Sequence, residues 1–243
     1  MREGEPQNQY LENAKISAEE KKYYKLLKLY ARLLAPFYDT VTAILSNLRD
    51  KVVDFTNAPV KSRILDVATG TGKQAFAFAK KGHEVVGIDL SKHMLKVAVK
   101  KNKYENVRFQ VADATKLPFE DNRFDVSCVS FALHDMILTV REKTLKEMRR
   151  VTKTNGTIII VDYGLPKNRI GRFFVFNFVR LYEPYYPEFI KSDLAGLLKN
   201  TGIEIKRDVP VLSGVARIMK GTPQGASGVK NKREENIAQK VTT

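Results

Sequence analysis

From residue 63 to residue 163, short apolar runs alternate with helix-period segments, and this alternation restricts the fold more than any other feature. Residues 63–67, 84–89, 107–111, 124–131 and 157–163 read as strands, the last carrying Ile158-Ile159-Ile160-Val161. Residues 74–81, 92–101 and 139–151 read as the helices between them. Gly82 stops the first helix, and Arg149-Arg150 suit the negative end of the third. Asn155-Gly156 predicts a turn before the fifth strand. Strands apolar at nearly every position have no face for water, so both faces of their sheet must be covered by helices. That requirement predicts a doubly wound α/β sheet with mostly parallel strands.

The flanks follow other patterns. Residues 1–20 are polar without period and are expected to be flexible. Residues 21–57 read as an N-terminal helical cap. Tyr23, Leu26, Leu27 and Tyr30 recur at helical spacing among Lys21, Lys22, Lys25 and Lys28, and after Pro36 a second helix is expected over 39–55. Residues 58–220 form the main domain. Within it, residues 164–192 break the rhythm and read as an aromatic lid. Eight aromatic rings fall between Phe173 and Phe189, interleaved with Arg172 and Arg180. Ser192 predicts the N-cap of a helix to Leu198, and short strands over 203–209 and 214–219 follow. Residues 221–243 read as a disordered tail.

A single cysteine excludes an intramolecular disulfide framework and a cysteine-based zinc site, and Cys128, mid-strand, reads as a packing residue. No metal is expected. The first residues lack the apolar core of a signal peptide, and no stretch approaches the ~20 apolar residues of a membrane span. A cytoplasmic chain is expected, in peripheral contact with a membrane at most. The net charge is +15, of which +14 falls within residues 23–220. Nucleic acid, an anionic membrane or an anionic small molecule would each fit that excess. Lys92, Lys96, Lys100, Lys101 and Lys103 read more simply as a solvated face.

The chemistry concentrates in Asp66-Val67-Ala68-Thr69-Gly70-Thr71-Gly72, at the first strand-to-helix junction. Glycines there permit a tight turn and close approach of backbone to a ligand. Asp89 ends the second strand and Asp113 follows the third. Any one of these acids alone could be a helix cap. Three at successive strand ends line one crevice at the carboxyl edge of the sheet, where doubly wound folds bind nucleotides.

With these residues the chain resembles the class I S-adenosylmethionine-dependent methyltransferases, and within them the ubiquinone/menaquinone C-methyltransferase-like small-molecule enzymes. The resemblance implies a seven-stranded Rossmann-like sheet, mostly parallel with an antiparallel last strand. It implies S-adenosylmethionine as cofactor and S-adenosylhomocysteine as product. It assigns cofactor contacts to Tyr38, Asp66, Ala68, Thr69, Gly70, Gly72, Asp89, Leu90, Met94, Asp113, Ala114, Ser130 and Phe131. Ala68 stands where the family has its first glycine. His134, just beyond the fourth strand, is the expected base, with Asp135 able to orient it and Tyr163 as a second candidate. Leu133-His134-Asp135-Met136 departs from the Arg-Asn pair of the quinone enzymes.

The expected activity is methyl transfer to a small hydrophobic acceptor: a quinone, phenol, lipid amine or thiol. The alternatives are an RNA methyltransferase and a non-catalytic cofactor-binding or membrane-associated module. Nucleic acid is the less favoured partner, because there is no Pro-Cys nucleophile and no Asn/Asp-Pro-Pro-aromatic clamp. The oligomeric state stays open.

Overall fold

A computed structural model describes residues 17–34, 46–181 and 183–224. Helix α1 (Ala18–Leu34) opens with a reciprocal capping box. The Glu20 amide donates to Ser17 Oγ at 3.1 Å, and the Ser17 amide donates to Glu20 Oε2 at 3.0 Å. Helix α2 (Ser46–Thr56) starts later than the periodicity suggested, and residues 35–45 lie outside the described residues. Residues 17–20, expected to be loose, are ordered by the capping box. The rest of the expected flexible N-terminus lies outside the described residues.

The central sheet has seven strands in the order β3-β2-β1-β4-β5-β7-β6. They are β1 (Arg63–Val67), β2 (Glu84–Asp89), β3 (Val107–Val111), β4 (Phe124–Ser130), β5 (Thr152–Tyr163), β6 (Ile203–Val211) and β7 (Ala216–Pro223). β1 to β5 are parallel, and β7 runs antiparallel between β5 and the edge strand β6. Helices α3 (Lys73–Lys80), α4 (Lys92–Lys101) and α5 (Leu138–Val151) are the crossovers. Short helices α6 (Arg169–Val179), α7 (Tyr186–Lys191) and α8 (Leu194–Asn200) follow β5.

The uniformly apolar strands are explained by two cores, one on each face. Leu65, Val67, Ile158 and Ile160 pack with Leu145 and Met148 of α5. Ile64, Cys128, Ile159 and Val161 pack with Val52 of α2 and Phe78 of α3. Successive residues of one strand thus enter opposite cores, as the period of two requires. The chain winds outward from β1 through β2 to β3, then from β4 to β5 on the other side. The carboxyl ends of β1 and β4 therefore flank the switch point, where such sheets leave a crevice.

Three local expectations are corrected. Asn155-Gly156 is not a turn ahead of a strand, because β5 already begins at Thr152. Phe124 pairs with Thr152 and Val126 with Thr157, so residues 153–156 bulge out within the strand. Ser192 is not the N-cap of α8. It ends α7, its hydroxyl donating to the Phe189 carbonyl at 2.6 Å, and Asp193 caps α8 by accepting from the Gly196 amide. The tail begins later than composition suggested. Residues 221–223 belong to β7, and Gln224 is tied to the Gly202 carbonyl and the Arg149 guanidinium. Residues 225–243 lie outside the described residues.

Candidate active site

The loop after β1 is built to approach a ligand. Ala68, Gly70 and Gly72 all take positive φ, of 54°, 56° and 82°. The Thr69 amide donates to the Ile88 carbonyl at 2.8 Å, and the Gly72 amide donates to the Thr69 carbonyl at 2.9 Å. Asp66 is buried beneath the loop and accepts from Thr69 Oγ1 at 2.5 Å. Burial pushes its carboxyl up to about 7, against the opposing effect of that hydrogen bond. The two glycines do different work. A Cβ on Gly70 would meet nothing within 4 Å, so its backbone faces open space. A Cβ on Gly72 would lie 2.7 Å from the Phe109 ring, so Gly72 lets α3 pack close to β3.

Asp89, at the end of β2, accepts from the Gly70 amide through Oδ2 and from the Ser91 amide through Oδ1, both at 2.8 Å. Burial raises its pKa, and those two bonds oppose the rise. Asp113 holds Thr115 through Oδ1, and its Oδ2 accepts from Tyr24 Oη of α1 at 3.3 Å. Between the two acids lies a crevice of about 140 Å³. Its walls are mostly apolar: Ile88 and Leu90 at the end of β2, Met94 of α4, Ala112 and Ala114 after β3, Phe131 after β4, and Tyr23, Tyr24 and Leu27 of α1. Each Asp89 oxygen accepts one of these amide bonds, and a carboxylate oxygen has a second lone pair for a further donor. Open space at Gly70, two strand-end carboxylates and apolar walls between them fit a nucleoside carrying a thioether side chain.

Beside the crevice, Asp162 organises the loop that follows β4. This carboxylate is fully buried. Its Oδ2 accepts from the Leu133 and His134 amides at 3.0 and 3.2 Å, and its Oδ1 accepts from the Tyr163 amide at 2.7 Å. His134 Nδ1 lies 2.7 Å from Asp162 Oδ1, and His134 Nε2 lies 3.8 Å from Glu183 Oε2. Burial disfavours the imidazolium, but the Asp162 charge and hydrogen bond outweigh it and hold the His134 pKa well above the usual range. Tyr163 covers the imidazole edge-on at 4.6 Å. The Asp135 carboxylate reaches the crevice wall and also gathers with His134 and Glu183, one ligand atom of each lying within 4.8 Å of the others. Burial raises its carboxyl to about 7 and Glu183 adds to the rise, while the His134 charge opposes it. Fully buried Arg141 ties this loop to α7, its Nε donating to the Leu133 carbonyl and its Nη2 to the Met136 carbonyl and Glu188 Oε2.

The structure brings Ala68, Gly70, Asp89, Leu90, Met94, Asp113, Ala114 and Phe131 together on the crevice wall. Asp66, Thr69, Gly72, Ser130 and Tyr163 stand behind it. Tyr163 packs between Phe131 and Tyr186. His134, expected on the rim, is only 2% exposed, because two backbone bonds to Asp162 turn the imidazole inward. Its orienting carboxylate is Asp162 and not the adjacent Asp135. Tyr38 lies outside the described residues.

Residues 65–160 match the family described as "Methyltransferase domain". This span runs from β1 through the acids of the crevice to β5. Over these residues the chain is similar to methyltransferase domains.

The chain is 40% identical over 138 residues to the demethylmenaquinone methyltransferase of Paenarthrobacter aurescens, covering 55% of this chain and 53% of that protein. It is 27% identical over 219 residues to the ubiquinone/menaquinone biosynthesis C-methyltransferase UbiE of Citrifermentans bemidjiense, covering 78% and 92%. The match spans only about half the length of the Paenarthrobacter protein and of a second demethylmenaquinone methyltransferase, that of Renibacterium salmoninarum. Among solved structures, a SAM-dependent methyltransferase from Aquifex aeolicus superposes with a TM-score of 0.58 at 24% identity, covering 72% of this chain and 89% of that one. This last likeness is one of fold.

Several residues of the site escaped the sequence reading. Asp162 carries the same signal as Asp66 and Asp89, a lone acid closing a buried apolar strand, and could have been found by it. Tyr23 showed only as part of the apolar stripe of a helix, and Tyr24 was not singled out. Glu183 carried no local signal, since it reaches His134 across 49 residues of chain.

Proposed function

We propose that this chain transfers a methyl group from S-adenosylmethionine to a small, apolar acceptor that gives up a proton. The crevice carries the proposal: two strand-end carboxylates, apolar walls between them, and a third carboxyl with a pKa of about 7 on the same wall. The names of the relatives, demethylmenaquinone and ubiquinone/menaquinone methyltransferases, support an acceptor of quinol or phenol type. Leu133-His134-Asp135-Met136 replaces the Arg-Asn pair of the quinone enzymes, so a lipid amine or thiol stays within the class.

Bound S-adenosylmethionine supplies an electrophilic methyl group on a sulfonium. Asp89 accepts hydrogen bonds from the ribose hydroxyls with its remaining lone pairs. Asp113 and Ala114 hold the adenine, and Tyr23, Tyr24 and Leu27 cover it. Gly70 lets the backbone come within contact distance. The apolar walls exclude water and hold the acceptor in line with the methyl group, and such orientation contributes ~7–11 kcal/mol to lowering the barrier. Asp135 takes the acceptor's proton. Its pKa near neutrality lets one carboxyl be ionised enough to accept a proton and basic enough to keep it. Glu183, beside both Asp135 and His134, stabilises the protonated form, and His134 is a positioning residue held by Asp162.

Titration calorimetry with S-adenosylmethionine and S-adenosylhomocysteine tests the cofactor half. Micromolar binding is expected, weakened by about 10- to 100-fold in Asp89→Ala through the loss of charged hydrogen bonds. A folded protein that binds neither ligand overturns the reading. Labelled methyl transfer into a lipid and small-molecule extract, followed by mass spectrometry, identifies the acceptor.

A further inference from the structure

Helix α6 is a surface whose composition the crevice does not explain. Ile170, Phe173, Phe174 and Phe178 fall on one stripe at helical spacing, and Leu181 continues it past the helix end. These side chains are 64–74% exposed, whereas most of the large hydrophobic residues of the sheet are buried. Scattered exposed apolar residues are ordinary; five on one stripe of one short segment form a contiguous patch. The rest of the same segment is cationic. No acid occurs between Asp162 and Glu183, while Lys167, Arg169, Arg172 and Arg180 do, and all four are exposed. Arg169 and Arg180 flank the stripe on the side of Phe173.

The opposite face of α6 is anchored. Val179 is buried, and the Phe176 ring lies 5.8 Å from that of Tyr186. Tyr186 contacts Tyr163 at 5.3 Å, and Tyr163 contacts Phe131 of the crevice wall at 5.4 Å. The outward stripe is thus carried on a run of packed rings that ends at the crevice. A protein partner would be expected to meet some acid on such a patch or to need a matching acidic surface. Exposed aromatic and aliphatic side chains on a segment that carries cations and no acid are the pattern that settles among acyl chains beneath anionic headgroups.

We propose that α6 docks this chain on the surface of an anionic lipid bilayer, with Ile170, Phe173 and Phe174 entering the acyl boundary and Arg169 and Arg180 meeting headgroup phosphates. The docking is peripheral: no helix among the described residues is long and apolar enough to cross a membrane. It places the crevice beside the bilayer, from which an apolar acceptor can enter without crossing water. Only this delivery rests on the proposed function; the docking itself does not.

Vesicle flotation of the full chain tests the docking without S-adenosylmethionine, so its outcome is independent of the methyl-transfer reading. The expected result is flotation with phosphatidylcholine/phosphatidylglycerol vesicles and about tenfold weaker binding to phosphatidylcholine alone, the effect of losing the anionic headgroups. Phe173→Ser/Phe174→Ser should abolish flotation, and Arg169→Gln/Arg180→Gln should weaken it about tenfold at unchanged circular dichroism. These side chains are solvent-exposed, so their replacement leaves the core intact. Absence of flotation, or flotation equal in all variants, overturns the proposal. So does a dimer in sedimentation that the phenylalanine variant converts to monomer, since the patch would then be an interface between two copies.

Discussion

At the scale of single residues, one carboxylate decides how two adjacent side chains are used. Asp162 accepts the main-chain donors of Leu133 and His134, so the loop after β4 can take only one course. The imidazole is buried against Asp162, and the next carboxylate reaches both the crevice and the His134–Glu183 pair. Removing one partner from such a buried charged network leaves the other charge without compensation, at a cost of roughly 3–5 kcal/mol. The same cluster gives the fold a characteristic pH dependence. Asp135 titrates at about 7 in the fold against an ordinary 3.8, so the folded chain holds a proton that the unfolded chain releases. Its contribution is complete below about pH 4 and disappears as pH rises through about 7. His134 is raised as well, so its share is lost only above its ordinary range, and Asp66 acts in the same direction as Asp135. Thermal denaturation should therefore show Tm falling from about pH 4 to about pH 7, and Asp135→Asn should flatten, though not erase, that slope. A Tm that rises steadily through this window would contradict the protonation states assigned to the cluster.

At the scale of elements, α1 lies over the crevice through Tyr23, Tyr24 and Leu27. Its N-terminus is fastened by the Ser17–Glu20 capping box and by Lys143 Nζ donating to Glu20 Oε1 at 2.6 Å. Its Tyr23 and Tyr24 rings meet edge-to-face at 5.2 Å over the crevice, and Tyr24 reaches Asp113. Such an element, resting on a ligand site, is expected among the less stable parts of a fold. Ligand in the crevice adds contacts on the inner face of α1, so it should be protected by mass action. Limited trypsin digestion should cut at Lys21, Lys22 or Lys25 first, and saturating S-adenosylhomocysteine should slow that cleavage several-fold while leaving cleavage after residue 224 unchanged. Equal rates at both places would show that α1 does not cover the ligand.

At the scale of the whole molecule, charge and topology separate. The +15 sits largely on exposed faces such as Lys96, Lys100, Lys101 and Lys103, while the crevice is lined by carboxylates. A surface of that kind attracts polyanions without reading them. RNA binding is expected to be weak, indifferent to sequence and absent above about 0.2 M salt, the behaviour of a purely electrostatic contact. Gel-shift titration at two salt concentrations checks it, and tight binding at high salt would revive an RNA substrate.

The sheet and its crevice acids were legible in the sequence because both follow from local rules. A strand buried on two faces must be apolar throughout, as Ile158 to Val161 are, and an acid that ends such a strand stands out against it. Asp66, Asp89 and Asp113 could therefore be singled out before any coordinate was known, although only Asp89 and Asp113 line the crevice and Asp66 is buried beneath the loop. Contacts between segments distant along the chain left no such trace. Tyr24 meets Asp113 across 89 residues, and Glu183 meets His134 across 49. The burial of His134, the meeting of Asp135 with His134 and Glu183 and the exposed stripe of α6 depend on which neighbours arrive to cover each side chain. Periodicity records that a residue is apolar or polar. Only packing in three dimensions decides whether an apolar side chain is covered, and on α6 Ile170, Phe173 and Phe174 are left exposed.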